Sequence, residues 1–202
     1  VRRSLALVTP PTSEPVGLSE FKAWAKVDAD DDDPLITSLL TAARQAAEEY
    51  TRRAFVTQTW RLALDAGACG FDLPEGVYDL PVSALTGPLP SAIELPRQPI
   101  QSVSGVVTSD TENAGSVYAP SNYTLIGSRL VLNASAFWPG NLRPLGSIEI
   151  TYVAGHGIAS AVPQAIRTAI LMHAQAMYDG RTVCDLPSSC ETLLRNYRVL
   201  TL

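Results

Sequence analysis

DPLITSLLTAARQAAEEYTRRAF, residues 33–55, decides how the chain folds. Ile36, Leu39, Leu40, Ala43, Ala47, Tyr50 and Ala54 recur at the i, i+3, i+4, i+7 spacing that lines one face of a helix. Asp33 stands where an N-cap belongs, and Pro34 follows at the first helical position, where a missing N–H costs nothing. Ser38, Thr41, Arg44, Gln45, Glu48, Glu49 and Arg52 occupy the opposite face, which therefore reads as wet. An apolar face of this length requires a partner. Residues 162–178 supply one: Val162, Ile166, Ala169, Ile170, His173 and Met177 keep the same period, and Pro163 falls at the start. The two helices are expected to pack together, and the segment between them is an excursion from that core.

A chain of 202 residues can bury a sizeable core and fits one domain, with or without an insertion. Hydrophobic content of 46% against 17% charged places it among globular chains and not disordered ones. The net charge of −5 argues against a protein whose main task is to hold nucleic-acid phosphates. It leaves room for one that lets DNA pass without sticking. The basic residues are 13 Arg and 2 Lys; Arg suits planar interface contacts, although genome base composition explains the bias as well. Cys69, Cys184 and Cys190 give an odd count with no C-x-x-C, which reads as reduced thiols in a cytoplasmic product. The basic start VRRSLALVTPP has too short an apolar run for a secretory signal, and no stretch approaches the roughly 20 apolar residues of a membrane span.

Outward from the central helix, residues 1–16 read as an extended arm broken by Pro10, Pro11 and Pro15. A first helix follows, with Gly17 as cap, Glu20 in the capping-box position, and Leu18, Phe21 and Ala25 on one face beside Trp24. DADDDD, residues 28–33, places acids at the first, third and fifth positions of a calcium loop. The glycine position is Asp33 and the bidentate glutamate position is Leu39, so the calcium reading fails. An acidic linker facing the positive end of the next helix remains. After that helix, residues 56–65 and 147–155 alternate as strands, 100–108 form another, and 109–115 are a turn cluster. YTLIGSRLVLN is a hairpin turning at Gly127-Ser128, and residues 66–92 read as a long Gly/Pro-rich loop. The expected fold is α+β in a single domain over 1–202, with a helical-bundle core of about four helices and an inserted small antiparallel β region. Its parts are the arm (1–16), core helices (17–55 and 162–180), the β-rich insertion (56–155), and a C-terminal helix and tail (187–202).

Groups for catalysis are sparse. His173 lies on an apolar helix face and reads as a core histidine. His156, in AGHG, sits in a Gly-flanked loop after a strand, where a base could sit, and a nucleophilic Cys184–His156 pair has no local support. Cys184 and Cys190 are spaced C-x₅-C, which fits no common zinc pattern. Glu48 and Glu49 point in different directions and are expected to meet water or Arg52 and Arg53. No phosphate-binding glycine motif occurs. The reading is of a protein with no catalytic residues, no metal and no cofactor. The end of the chain is the unusual feature: Leu193, Leu194, Tyr197, Val199, Leu200 and Leu202 stay apolar to the last residue, where termini are ordinarily polar. Two readings stand: the tail docks on its own core, or it docks into a neighbour.

PVGLSEFKAWAKV, DDDPLITSLLTAARQAAEEYTRRAF with TQTW, ELPRQPIQSV, ITYVAG, VPQAIRTAILMHAQAMYDGR and LLRNYR follow one another in an order that resembles the head–tail connector (adaptor) proteins of tailed phages and gene transfer agents. The resemblance runs over residues 15–198. It departs at Gly17, where members usually carry Ser or Thr as a helix cap, and nothing is carried over to residues 66–92. It implies a connector domain without catalysis, in a ring of about twelve subunits beneath the portal of a virion neck, assembled in the host cytoplasm. Such a ring extends the DNA channel, lets DNA pass without specific binding, and links the head to a stopper (head-closure) protein and the tail. It also implies a portal-docking tail, carried here by Leu193, Leu194, Arg195, Tyr197, Arg198, Val199, Leu200 and Leu202. The alternatives are another ring-forming neck or tail component, a stopper or tail terminator, which would be β-dominated, and a small hydrolase using His156 or Cys184.

Overall fold

Helices form at Leu18–Ala25 (α1), Asp33–Thr51 (α2), Gln164–Gly180 (α3) and Ser188–Leu194 (α4) in the computed structural model, which describes residues 3–66, 89–181 and 185–199. Strands form at Arg3–Thr9 (β1), Gln58–Leu64 (β2), Ala92–Glu94 (β3), Ile100–Ser109 (β4), Gly115–Val117 (β5), Tyr123–Ile126 (β6), Arg129–Leu132 (β7) and Ile148–Ala154 (β8). The described chain divides into two compact units. One holds the helices and is drawn from residues 11–58, 96–99 and 154 onward; the other holds both sheets and is drawn from residues 3–10, 59–95 and 100–153.

In the helical unit, α2 packs on α3 more extensively than on any other helix, as their matching apolar periods require. Ile36, Leu40, Ala43 and Ala47 of α2 are buried with Ile166, Ala169, Ile170 and Met177 of α3. Phe21 of α1 fills the same core and meets the Tyr178 ring edge-on at 6.0 Å. His173 is buried on α3, as its place on the apolar face predicts.

Three local expectations change. α2 begins one residue early, with Asp32 at its N-cap and no side-chain capping bond; the Asp32 backbone is not extended as a capping residue's usually is (φ −92°, ψ 2°), and its carboxylate accepts from Tyr178 Oη at 2.7 Å. Glu20 closes no capping box and instead pairs with Arg167 of α3 at 2.6 Å. The third concerns the wet face of α2: Arg44 and Glu48 are both buried there, since residues 14 and 55–58 lie over that side. The acidic linker also has protein partners, with Lys22 bonded to Asp30 and Asp33.

In the sheet unit, the five-stranded sheet has the order β1-β2-β8-β4-β5, and a three-stranded sheet has the order β3-β7-β6. β8 sits in the middle of the larger one, and its alternation is read out directly: Ile148, Ile150 and Tyr152 are fully buried while Glu149 turns toward Arg61 and Arg143. The hairpin of β6 and β7 turns at Gly127-Ser128 as expected, and Gly127 has φ +61°, which suits a glycine at the first central position of a II′ turn. The turn cluster at 109–115 is held by the Asp110 carboxylate, which accepts from the amides of Glu112 and Ala114 at 2.9 Å each. Residues 3–9 of the expected arm are a sheet strand, paired antiparallel with β2 from Arg3 opposite Leu64 to Thr9 opposite Thr59. Most of the expected 66–92 loop lies outside the described residues, and its last residue begins β3.

Candidate functional site

Four stretches far apart in sequence meet at the C-terminal end of α2, all within the helical unit. The helix stops at Thr51 because Arg52 takes up a left-handed conformation (φ 55°) and the chain turns away. The last carbonyls of a helix carry negative partial charge and lack intrahelical donors. Here they receive donors from elsewhere. Arg97 Nη1 donates to the Glu48 carbonyl at 2.9 Å, and its Nη2 bonds the Glu49 carboxylate. Val199 N donates to the Thr51 carbonyl at 3.0 Å. Arg53 Nε donates to the Tyr197 carbonyl, and the Arg198 guanidinium lies 5.2 Å from the centre of the Tyr50 ring.

The Glu48 side chain anchors the inner side of this end. Its carboxylate accepts from Arg44 Nη1 at 2.6 Å, from the Phe55 amide at 2.9 Å and from Gln58 Nε2. Arg44 Nε in turn donates to Glu14 at 2.7 Å. Burial pushes the Glu48 carboxyl above its usual range, against the pull of Arg44, the Phe55 amide and Gln58. The expectation that Glu48 meets water or Arg52 is therefore corrected, whereas Glu49 is exposed to water as expected. Glu48 pairs backward to Arg44, and Glu49 pairs across to Arg97.

The AGHG stretch closes the same end through backbone contacts. Gly155 N donates to the Pro99 carbonyl at 2.9 Å, His156 N to the Phe55 carbonyl at 2.8 Å, and Thr57 N to the Gly157 carbonyl at 3.0 Å. Gly155 has φ +124°, and a Cβ there would lie 2.4 Å from the Val56 carbonyl oxygen, so only glycine allows this approach. His156 is half-buried, and burial, then the nearby Arg53 charge, lowers its pKa. Its Nε2 meets no hydrogen-bond partner among the described residues. Cys184, its suggested nucleophilic partner, and Cys69 lie outside the described residues. Cys190 is buried in α4, with its thiol toward the Ala169 carbonyl at 3.4 Å.

The residues expected to form a portal-docking tail fall into three groups. Leu194 is fully buried in the helical core and Leu193 packs against that core, so Leu194 is not available as an anchor. Tyr197, Arg198 and Val199 are held against the end of α2 by the contacts above, and Arg195 is exposed. Leu200 and Leu202 lie outside the described residues. The convergence itself was not legible in the sequence. Its one sequence signal is that RRAF with TQTW, LPRQP, YVAG and RNYR all belong to the stretches that carry the family resemblance.

The fold is similar to that of chains in solved structures. A chain in the neck of an empty gene transfer agent (GTA) particle, computed with C6 symmetry, is similar at TM-score 0.75 and 20% identity over 98% of this chain and 97% of that one. A chain of the virion of a native GTA particle is similar at TM-score 0.74 and 22% identity, over 98% and 96%. A chain in the neck of a native GTA particle computed with C12 symmetry is similar at 0.74 and 22%, over 98% and 97%. None of the curated proteins matches the sequence. The family model of phage gp6-like head–tail connector proteins matches residues 16–124, more than half of the chain, from α1 and α2 through β2–β5 to the start of β6. The chain belongs to the phage gp6-like head–tail connector family.

Proposed function

We propose that copies of this chain form a ring beneath the portal of a phage or gene-transfer-agent particle, extend its DNA channel, and link the head to the stopper and tail. Family membership is the observation that carries this reading. The likeness to chains from GTA necks computed with C6 and C12 symmetry supports the ring. A net charge of −5 suits a channel wall that repels phosphates and lets the genome slide.

The portal is met by the C-terminal segment beyond the contacts at Tyr197 and Val199. Leu194 and the backbone bonds to Thr51 and Arg53 moor the segment to its own subunit. Leu200 and Leu202 are then the residues offered to the partner. The role is structural and needs no catalytic group. The AGHG turn is explained by the approach of Gly155 to Val56.

Light scattering after size exclusion tests the proposal, on the chain alone and mixed with portal-containing heads. A ring mass, or incorporation into heads at the portal's own stoichiometry, is the expected result. A chain that stays monomeric and ignores the heads overturns it.

A further inference from the structure

Among the described residues, the five-stranded sheet ends in two edge strands of different chemistry. β1 closes one end and β5 the other. β1 is RSLALVT, and all its residues except Leu5 are exposed; Leu7 and Val8 each keep 44% of their surface. The register slips between Leu7 and Thr9, which leaves the regular part of the strand at residues 3–7. An edge strand of this kind presents a row of unpaired N–H and C=O groups, and soluble proteins usually blunt it with lysine, proline or an inward charge. Residues 3–9 carry no lysine, no proline and no acid. At the far end, Gly115, Ser116 and Val117 are all exposed, Val117 at 77%.

The charges of the two ends are complementary. β1 begins at Arg3, which is exposed. The turn entering β5 carries Asp110, whose carboxylate holds the turn's own amides, and an exposed Glu112; residues 109–117 hold no basic residue, and Arg143 reaches the turn from outside at Asn113. Two different surfaces on opposite ends of one sheet make a heterologous pair, the kind of contact that closes into a ring. Pairing β1 with its own copy would stop at a dimer.

We propose that β1 of one subunit adds to the β5 edge of a second copy of this chain, so that the sheets continue from subunit to subunit around the ring. This rests on the ring proposed above and names the surface that builds it. The backbone groups supply the attraction, Leu7, Val8 and Val117 lose water, and Arg3 approaches the acidic β4–β5 turn.

The test uses the full chain carrying Cys69→Ser and Cys184→Ser, with Leu7→Cys, Val117→Cys or both, treated with a short bismaleimide. Assembly is allowed in solution or on portal-containing heads. The double variant is expected to give a ladder of crosslinked multimers, and each single variant none. In parallel, Leu7→Lys and Val117→Lys should each keep the melting temperature of the parent while losing the ring mass. Rings that form but yield no ladder overturn the sheet contact and leave the connector reading standing. Dimers from Leu7→Cys alone show a β1–β1 pair and also overturn it. If no ring forms under any condition, the connector reading fails first, and this contact with it.

Discussion

Arg44 Nη1 lies 2.6 Å from Glu48 Oε2, and both side chains are buried on the side of α2 that the residue pattern marks as wet. The pair is tied outward to Glu14 and inward to the Phe55 amide and Gln58. Removing one partner of such a pair strips the other, still buried, of its i,i+4 counter-charge and leaves it only its remaining contacts. Glu48→Ala is expected to cost about 3 kcal/mol or more of stability, and Arg44→Ala a similar amount. The double variant should cost clearly less than the sum, because the two residues share one network. Urea melts of the four proteins check this; additive losses would show that the pair is not coupled.

Glu48 also sets a pH dependence. Its folded carboxyl keeps its proton above the ordinary value of 4.5, where the unfolded chain has released it. Its contribution is therefore fully present below that value and falls as pH rises through the folded value. Stability of the wild type relative to Glu48→Gln should decline as pH is raised from 4.5. A difference that stays flat or rises would contradict the burial argument.

His156 carries the opposite slope. Burial, and then Arg53, hold its folded pKa below the ordinary 6.5, so the folded protein sheds a proton that the unfolded chain still binds. The resulting stability is complete above 6.5 and is lost as pH falls from there through the folded value. Chemical melts of wild type against His156→Gln should show the wild type gaining as pH rises toward 6.5 and levelling beyond it.

Two glycines of one motif should respond unequally. At Gly155 an added Cβ meets the Val56 carbonyl oxygen at 2.4 Å, whereas at Gly157 the nearest atom is Ala161 Cβ at 3.8 Å. Both have positive φ, so both alanine variants carry backbone strain, on the order of 1 kcal/mol. Gly155→Ala adds the clash and is expected to cost about 3 kcal/mol in all. At about 2–4 °C per kcal/mol for a chain of this size, calorimetry should separate the two melting temperatures clearly.

The C-terminal segment divides at Val199. Leu194 is fully buried, so Leu194→Ala should cost about 2–5 kcal/mol and lower the melting temperature. Removing residues 193–202 would therefore damage the core as well as the tail. Removing residues 200–202 should leave the melting temperature unchanged and abolish attachment to portal-bearing heads, measured by co-sedimentation. Retained attachment would move the portal contact elsewhere.

The apolar face of α2 needed nothing beyond the sequence, because a period of 3.6 residues is a local property and Ile36, Leu40, Ala43 and Ala47 satisfy it by themselves. The same holds for β8 and for the Gly127-Ser128 hairpin, whose alternation and turn residue act over a few positions. The family order of motifs was legible too, and with it the connector class. What the tertiary structure decided was the fate of polar and terminal residues. Arg44 and Glu48 look solvated until Glu14, Phe55 and Gln58 are brought over them, and a buried carboxylate is tolerable only with such donors in place. Residues 3–9 look like a loose arm until β2 offers them an edge 50 residues and more along the chain. The tail looks like an orphan until Leu194 finds the helical core and Val199 the end of α2. Local periodicity is written in neighbouring residues; the pairing of a charge, an edge or a tail depends on which distant segment arrives to meet it.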